Sequence, residues 1–271
     1  MAEPGARRRL VLGMGDDCAI YRPRAGEELV FTTDLFIEDV HYRLKNEQAG
    51  VLGRRALARS LSDIAAMGAT PRFCLVSLAL SKRTDHKWAE AFYRGLLALA
   101  RESGTALAGG DFSHAARVVC DVMVCGSVAR GKALRRDGAR VGDAIYVSGP
   151  LGGWRHRAEI VPRLDIGRRI ASKATAAMDI SDGLSTDLWR LCIASGVAAS
   201  LDGPLPVLAG ATLDDALNGG EDYELLYTAP QKVRVPGMRI GSIVEGRAGD
   251  VFLMGLKVKA RGYDHLSSSR R

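Results

Sequence analysis

The feature that most constrains the fold is an alternation of short β-rich runs with helix-patterned segments along the whole chain. Three runs rich in β-branched and other apolar residues are typical of strands and occupy residues 28–34, 73–80 and 118–129. Residues 51–69 and 85–104 instead carry apolar side chains at helical spacing. Because the alternation resumes after about residue 136, we expect an α/β (α+β) chain with two mixed domains, residues 1–136 and 137–271.

The composition argues against several classes of protein. The net charge of +7 comes from 38 basic and 31 acidic residues, and the basic residues are scattered rather than interleaved with aromatic residues. A nucleic-acid partner is therefore not expected. No apolar run approaches the roughly 20 residues that a membrane span requires, so no membrane partner is expected either. The five cysteines form no CxxC pair, which favours free thiols in a reducing cytoplasm.

Aspartates that end strands or lie in glycine turns are the strongest candidates for chemistry. Together with one aspartate on a predicted helix, they are Asp16, Asp17, Asp34, Asp63, Asp111, Asp179 and Asp182. Any one of them alone is more often a helix cap or a turn residue. Asp182 in particular could simply cap the helix that follows it. As an oxygen-rich set without a histidine or cysteine pattern, they favour a hard cation, above all Mg2+. Thr32 and Thr33 add neutral hydroxyl oxygens beside Asp34.

The segment MDISDGLSTDLW, residues 178–189, places three carboxylates close together in sequence: Asp179, Asp182 and Asp187. Like charges repel, so their clustering requires a counter-charge, and we predict that a metal supplies it. Protein-bound Mg2+ usually keeps some waters and is shared between carboxylates and a substrate's phosphates. The second predicted partner of the metal is therefore a polyphosphate.

Several familiar catalytic motifs are missing. GMGDDC, residues 13–18, lacks the third glycine of a dinucleotide fingerprint, and no GxxxxGK[ST], kinase, HExxH or GxSxG signature occurs. Metal ions would then contribute more to nucleotide binding than a glycine cradle. His41 stands alone, and a lone histidine is more often a packing residue than a ligand. Arg135 and Arg136 precede Asp137 in either a surface loop or a phosphate clamp.

Eight blocks of the sequence occur in an order that closely resembles the thiamine-monophosphate kinases of the aminoimidazole-ribonucleotide-synthetase-like superfamily. They are GMGDDCAI, FTTDLFIEDVHYRL, GRRALARSLSDIAAMGA, LAGGD, LRRDGARVGDAIYVSG, MDISDGLSTDL, GGEDYELLYT and RGYDHL. The resemblance runs from about residue 11 to residue 266.

The resemblance implies a reaction and an architecture. ATP would phosphorylate thiamine monophosphate to thiamine diphosphate with the help of several Mg2+ ions. The N-terminal domain would contain a four-stranded sheet with helices, and the sheets of two chains would join into a barrel within a homodimer. The C-terminal domain would contain a mixed sheet with flanking helices and would complete the cleft that holds each active site.

The resemblance also implies residue roles, position by position. The expected magnesium ligands are Asp17, Thr32, Thr33, Asp34, Asp63, Asp111, Asp179 and Asp182. The expected ATP contacts are Gly110, Arg136 and Ser181, with Arg136 also stabilising charge on the transferred group. The expected contacts with thiamine phosphate are His41, Glu221 and Tyr263.

Two other functions stay open at the level of sequence. The chain could be a related superfamily enzyme that uses ATP on a different phosphorylated acceptor. It could also be a basic nucleotide-binding module without activity, although the intact acidic set argues against this. Binding of ATP that does not depend on metal would favour the module.

Overall fold

The computed structural model describes residues 9–153 and 159–263. The chain divides into two compact units, Met1–Ile64 with Ala69–Gly131 and Ala65–Gly68 with Lys132–Arg271. The last three residues of the RGYDHL block, 264–266, lie outside the described residues. In the described part of the chain, no helix is both long and apolar enough to cross a membrane.

The first unit is built on a four-stranded sheet, as predicted. Its elements are β1 (Leu10–Leu12), β2 (Ile20–Tyr21), β3 (Glu27–Ile37), α1 (Ala49–Ala66), β4 (Thr70–Leu80), α2 (His86–Ser103), β5 (Ala106–His114) and β6 (Val119–Ala129). The sheet order is β3-β6-β4-β5, while β1 and β2 form a separate two-stranded sheet. Strand β6 pairs antiparallel with β3 and β4, whereas β4 and β5 are parallel.

The two faces of this sheet differ in burial because side chains alternate along each strand. Phe36 and Val122 point to the face on which α1 lies, and both are fully buried. On the opposite face, the β1–β2 sheet packs near Phe73 and Cys125. Phe31 and Leu35 lie on β3 and are 63% and 53% exposed. One face of the sheet is therefore a packed core, and the other leaves large apolar side chains uncovered.

Helices α1 and α2 approach each other so closely that only glycine fits at their contact. A Cβ atom added to Gly95 would lie 1.8 Å from the carbonyl oxygen of Gly50. A Cβ atom added to Gly53 would lie 1.9 Å from the carbonyl oxygen of Phe92. Since the obstacle in both cases is backbone, neither clash can be relieved by a side-chain rotation.

We expect Gly95→Ala to destabilise the protein, although alanine favours a helix by about 1 kcal/mol over glycine. The added methyl group must push α2 away from α1, and overpacking of this kind lowers the free energy of unfolding by about 1–3 kcal/mol. Urea unfolding measures the change. Glu90→Ala, at an exposed position of the same helix, is the control and should change the free energy by less than about 0.5 kcal/mol. An unchanged or increased stability of Gly95→Ala would contradict the close approach.

The second unit is a seven-stranded mixed sheet with helices, also as predicted. Its elements are β7 (Asp143–Val147), α3 (Leu164–Ile170), β8 (Ala176–Asp179), α4 (Leu184–Ser195), β9 (Ala198–Leu201), α5 (Leu213–Asn218), β10 (Leu225–Pro230), β11 (Met238–Val244), β12 (Val251–Leu253) and β13 (Leu256–Val258). The order is β13-β12-β9-β11-β7-β10-β8. Strands β9 and β12 are parallel, and the other pairs are antiparallel.

Helix α4 is anchored by one apolar stripe. Leu184, Leu188, Leu191 and Cys192 follow helical spacing and are all fully buried. They belong to the same core cluster as Ile145 and Leu226 of the sheet. This packing fixes the turn between β8 and α4, which carries two of the predicted site residues.

Candidate active site

In the first unit, α1 and β3 bring three of the predicted magnesium ligands together. Two residues of a strand advance about 6.6 Å, and four residues of a helix advance about 6 Å. Because these lengths are similar, position 32 of the strand can face position 63 of the helix while position 34 faces position 59. The Thr32 hydroxyl donates a hydrogen bond to the Asp63 carboxylate. The Arg59 guanidinium lies 3.9 Å from the Asp34 carboxylate. This face therefore holds two carboxylates, one hydroxyl and one buried arginine.

The Asp34 carboxylate is partly removed from water. Burial raises its pKa above the ordinary value, because removal from water disfavours the charged form. The positive charge of Arg59 and a hydrogen bond from the Ser60 hydroxyl oppose that shift. An ion placed beside Asp34 would replace part of the lost solvation, as expected of a ligand for Mg2+.

Thr33 lies on the opposite side of β3 from Thr32 and Asp34, since neighbouring residues of a strand face opposite ways. Its hydroxyl donates a 2.6 Å hydrogen bond to the Asp121 carboxylate on β6. The structure thus does not bring the Thr33 hydroxyl together with the oxygen atoms of Thr32, Asp34 and Asp63. Sequence analysis missed Asp121, although an acidic residue within the apolar run VVCDVMV was an available signal.

Gly110 and Asp111 lie on the edge strand β5. Gly110 has φ of +156° and its Cβ position would be 1.9 Å from the Val76 carbonyl oxygen, so only glycine fits there. Asp111 is exposed, and Ser77 pairs with it on one side and with Asp121 on the other. Two strand spacings amount to about 10 Å between the Asp111 and Asp121 backbones.

Asp17 and His41 contact other groups of the first unit. Asp17 is exposed, and its N–H donates to Asp16 at 2.8 Å. The His41 Nδ1 atom accepts the Ile37 N–H at 3.0 Å, and its ring packs 5.8 Å from the Phe36 ring. Across residues 9–153 and 159–263, no group of three or more His, Cys, Asp or Glu side chains is assembled for a metal ion.

In the second unit, one turn organises the predicted residues. Asp179 ends β8 and is buried, and the turn Ser181–Gly183 leads directly into α4. The alternative role of Asp182 as a helix cap is wrong, because the N-cap residue is Gly183 and no side chain caps α4. The turn is held instead by Asp187, which accepts the N–H groups of residues 181, 182 and 183 at 3.1, 3.0 and 3.1 Å.

Arg190 supplies a counter-charge from within the chain to two of the three clustered carboxylates, and the expected metal stays a prediction. The Arg190 Nη1 atom donates to Asp182 and, at 2.9 Å, to Asp187. Burial, followed by repulsion from Asp182, raises the pKa of Asp187 to about 6, whereas the N–H donors and Arg190 oppose the shift. Sequence analysis missed Arg190, although its position three residues after Asp187 on a helix was a usable signal.

Glu221 and Tyr263 dock on the same turn. The Glu221 N–H donates to the Ser181 carbonyl at 2.7 Å, and the Tyr263 N–H donates to the Asp182 carbonyl at 3.0 Å. The second unit therefore brings together five of its six predicted residues: Asp179, Ser181, Asp182, Glu221 and Tyr263.

Arg136 is the sixth, and it lies elsewhere. Its carbonyl accepts the Ser195 hydroxyl at 2.9 Å, so its backbone is held at the C-terminal end of α4. The 12 residues of α4 separate Ser195 from the Ser181–Gly183 turn, a distance of about 18 Å along the helix axis. The structure does not bring Arg136 to this turn, and its predicted catalytic role stays a prediction.

The other acidic residues of the GGEDYEL block hold the fold. Asp222 is buried and accepts the N–H groups of Gly152 and Gly153 at 3.1 and 2.6 Å. Glu224 is fully buried and receives two hydrogen bonds from Arg163, at 2.8 and 2.6 Å. Two of the three carboxylates in this block, Asp222 and Glu224, therefore have structural roles.

The chain is similar to known proteins both in its N-terminal part and over most of its length. Residues 15–128 match the family described as AIR synthase related protein, N-terminal domain. The thiamine-monophosphate kinase of Salmonella typhimurium is 33% identical, with 94% of this chain and 92% of that protein covered. The chain belongs to the thiamine-monophosphate kinase family.

Solved structures agree with this assignment. The crystal structure of thiamine-monophosphate kinase from Stenotrophomonas maltophilia K279a superposes with a TM-score of 0.84 and 36% identity, covering 93% of each chain. A structure described as AaThiL complexed with AMPPCP and TMP superposes with a TM-score of 0.82 and 30% identity, covering 90% of this chain and 89% of that one.

Proposed function

We propose that the protein transfers the γ-phosphoryl group of ATP in line to thiamine monophosphate, giving thiamine diphosphate and ADP. The observation that carries this proposal is the similarity, over 90% of the chain, to a family member bound to an ATP analogue and TMP. The grouping of Thr32, Asp34 and Asp63 supports it, because oxygen donors on one face suit a phosphoryl-transfer site.

The acceptor explains why the site needs no general base. A phosphate monoester has a second pKa of about 6, so its attacking oxygen is already anionic at neutral pH. The main obstacle is repulsion between two polyanions. At about 5 Å and an effective dielectric of about 20, each pair of unit charges repels by about 3 kcal/mol. Cationic groups must offset this repulsion.

The residues present fit magnesium. In the first unit, Asp34, Asp63 and Thr32 would hold an ion, and in the second unit Asp182 and Asp179 would do so. Fewer protein ligands than a full cage suit an ion that is shared with water and substrate phosphates. Bound Mg2+ supplies charge neutralisation and alignment of the two phosphates. Asp17, Thr33 and Asp111 remain predicted ligands in this proposal.

The remaining roles complete the proposal. Residues 1–136 would bind ATP and magnesium, and residues 137–271 would complete the active site. Gly110, Ser181 and Arg136 are the proposed ATP contacts. His41, Glu221 and Tyr263 are the proposed thiamine-phosphate contacts, and Tyr263 would offer a ring face to the cationic thiazolium. We place the reaction in the cytoplasm, because all five cysteines are free.

We also propose a homodimer formed through the open face of the four-stranded sheet. Phe31 and Leu35 are large, apolar and more than half exposed on β3. Uncovered apolar side chains on a sheet face favour association. A second copy of the sheet would cover them, as the dimeric barrel of the family implies.

The direct test is to supply ATP, Mg2+ and thiamine monophosphate to the purified protein. Thiamine diphosphate and ADP should form in equal amounts, and thiamine without its phosphate should give no product. Failure to form thiamine diphosphate at any Mg2+ or Mn2+ concentration would sink the proposal. Melting shifts with a panel of phosphorylated compounds would then identify another acceptor, the alternative function.

A further inference from the structure

We propose that Asp187 is the positioning residue of the second unit, fixing one turn on which both the metal ligand Asp182 and the substrate-binding segments are mounted. Asp187 itself would touch neither metal nor substrate. This inference rests on the proposed function and deepens it, because it assigns a cause to the placement of residues that the reaction needs.

The first observation is that both carboxylate oxygens of Asp187 are engaged by the protein itself. One oxygen accepts the N–H groups of the three consecutive residues 181, 182 and 183. The other accepts a hydrogen bond from Arg190 at 2.9 Å. The side chain is fully buried. Consecutive N–H groups that converge on one point form an anion-binding nest, and here the anion is part of the chain.

The second observation is that Arg190 links Asp187 to Asp182. The same Nη1 atom contacts both carboxylates. The Asp182 side chain is 19% exposed. Asp182 is therefore held by its N–H on one side and by its carboxylate on the other, and both restraints lead back to Asp187.

The third observation is that two distant segments reach this turn through glycine. A Cβ atom on Gly262 would lie 2.2 Å from the Asp182 carbonyl oxygen, and one on Gly220 would lie 2.8 Å from the Ser181 carbonyl oxygen. These glycines precede Tyr263 and Glu221, whose N–H groups donate to the same two carbonyls. A shift of the turn must therefore move both predicted substrate contacts together with Asp182.

The experiment compares Asp187→Asn with Asp143→Asn. Asparagine keeps the size of the side chain but replaces one carboxylate oxygen by an NH2 group. That NH2 group must face either Arg190 or the three backbone N–H groups, and it can accept a hydrogen bond from neither. Asp143 is a matched control, because it is buried and accepts the Arg140 N–H at 2.9 Å and the Thr175 hydroxyl at 2.6 Å. Asp143 pairs with Pro230 at one end of β10, whereas Asp179 pairs with Leu225 at the other end, so the control lies away from the turn.

For Asp187→Asn, we expect both the half-saturating Mg2+ concentration and the KM for thiamine monophosphate to rise about tenfold or more, a size typical of residues that orient metal ligands. The Kd for Mn2+, measured by electron paramagnetic resonance, should rise in parallel. Asp143→Asn should leave the half-saturating Mg2+ concentration, the KM and the Mn2+ Kd within about twofold of wild type. This should hold even if its melting temperature falls as far as that of Asp187→Asn.

Two outcomes would overturn the inference. One is a folded Asp187→Asn variant with unchanged Mn2+ affinity and KM. The other is an equal change in Asp143→Asn, which would show a general loss of stability. If Asp187→Asn does not fold, Arg190→Gln decides, and an unchanged Mn2+ Kd in that variant would overturn the inference. Because Mn2+ binding needs no turnover, it tests the positioning role even if thiamine monophosphate is not the acceptor.

Discussion

Asp34→Asn is expected to lower kcat by about a thousandfold or more, equivalent to about 4 kcal/mol of transition-state stabilisation. Asparagine retains the size of the side chain but removes the negative charge that would hold a cation between two polyanions. Asp34 lies on the same face of β3 as Thr32, and its carboxylate is 3.9 Å from the guanidinium of the buried Arg59.

The same substitution should leave the fold intact. Burial raises the pKa of Asp34, so its ionised form is destabilised by the loss of water, and a neutral side chain avoids that penalty. Steady-state kinetics and thermal melting measure the two effects separately. Asp202→Asn, at an exposed surface pair with Arg239, is the control and should change neither. Turnover within tenfold of wild type in Asp34→Asn would remove Asp34 from the proposed metal site.

Glu224→Ala is expected to lower the free energy of unfolding by about 3–5 kcal/mol, the range for breaking a buried ion pair. The substitution leaves Arg163 without the carboxylate that accepts two of its hydrogen bonds, and it leaves the Ser148 hydroxyl without an acceptor. The Arg163 side chain is 27% exposed, so water can partly solvate it and the lower end of the range is expected.

Urea unfolding tests this expectation, with Asp165→Ala as the matched control. Asp165 pairs with Arg168 in the same unit, but its side chain is 88% exposed. Loss of such a surface pair should change the free energy by less than about 1 kcal/mol. Equal effects of the two substitutions would contradict the structural role assigned to Glu224.

Periodicity predicted the elements of the fold well because they follow from local physics. The runs at 28–34 and 73–80 lie within β3 and β4, the run at 118–129 begins one residue before β6 and ends with it, and the two helical patterns correspond to α1 and α2. Sheet order did not follow from periodicity, since it depends on pairings between segments far apart in the chain. The four-stranded sheet came instead from the resemblance to the family, which the comparisons confirm.

The candidate site was predicted less completely, for a physical reason. Sequence analysis found carboxylates at strand ends, because glycine turns mark them locally. It missed Arg59 and Arg190, whose importance depends on which carboxylates they meet after helix and strand dock. It also grouped Thr33 with Thr32, although strand alternation places their side chains on opposite faces.

The most direct test of the central claim is the anomalous scattering of Mn2+ in crystals grown with a non-hydrolysable ATP analogue. We predict manganese peaks within about 2.5 Å of carboxylate oxygens of Asp34 or Asp63 in the first unit and of Asp182 in the second. A well-ordered nucleotide with no manganese at any of these carboxylates would contradict the account.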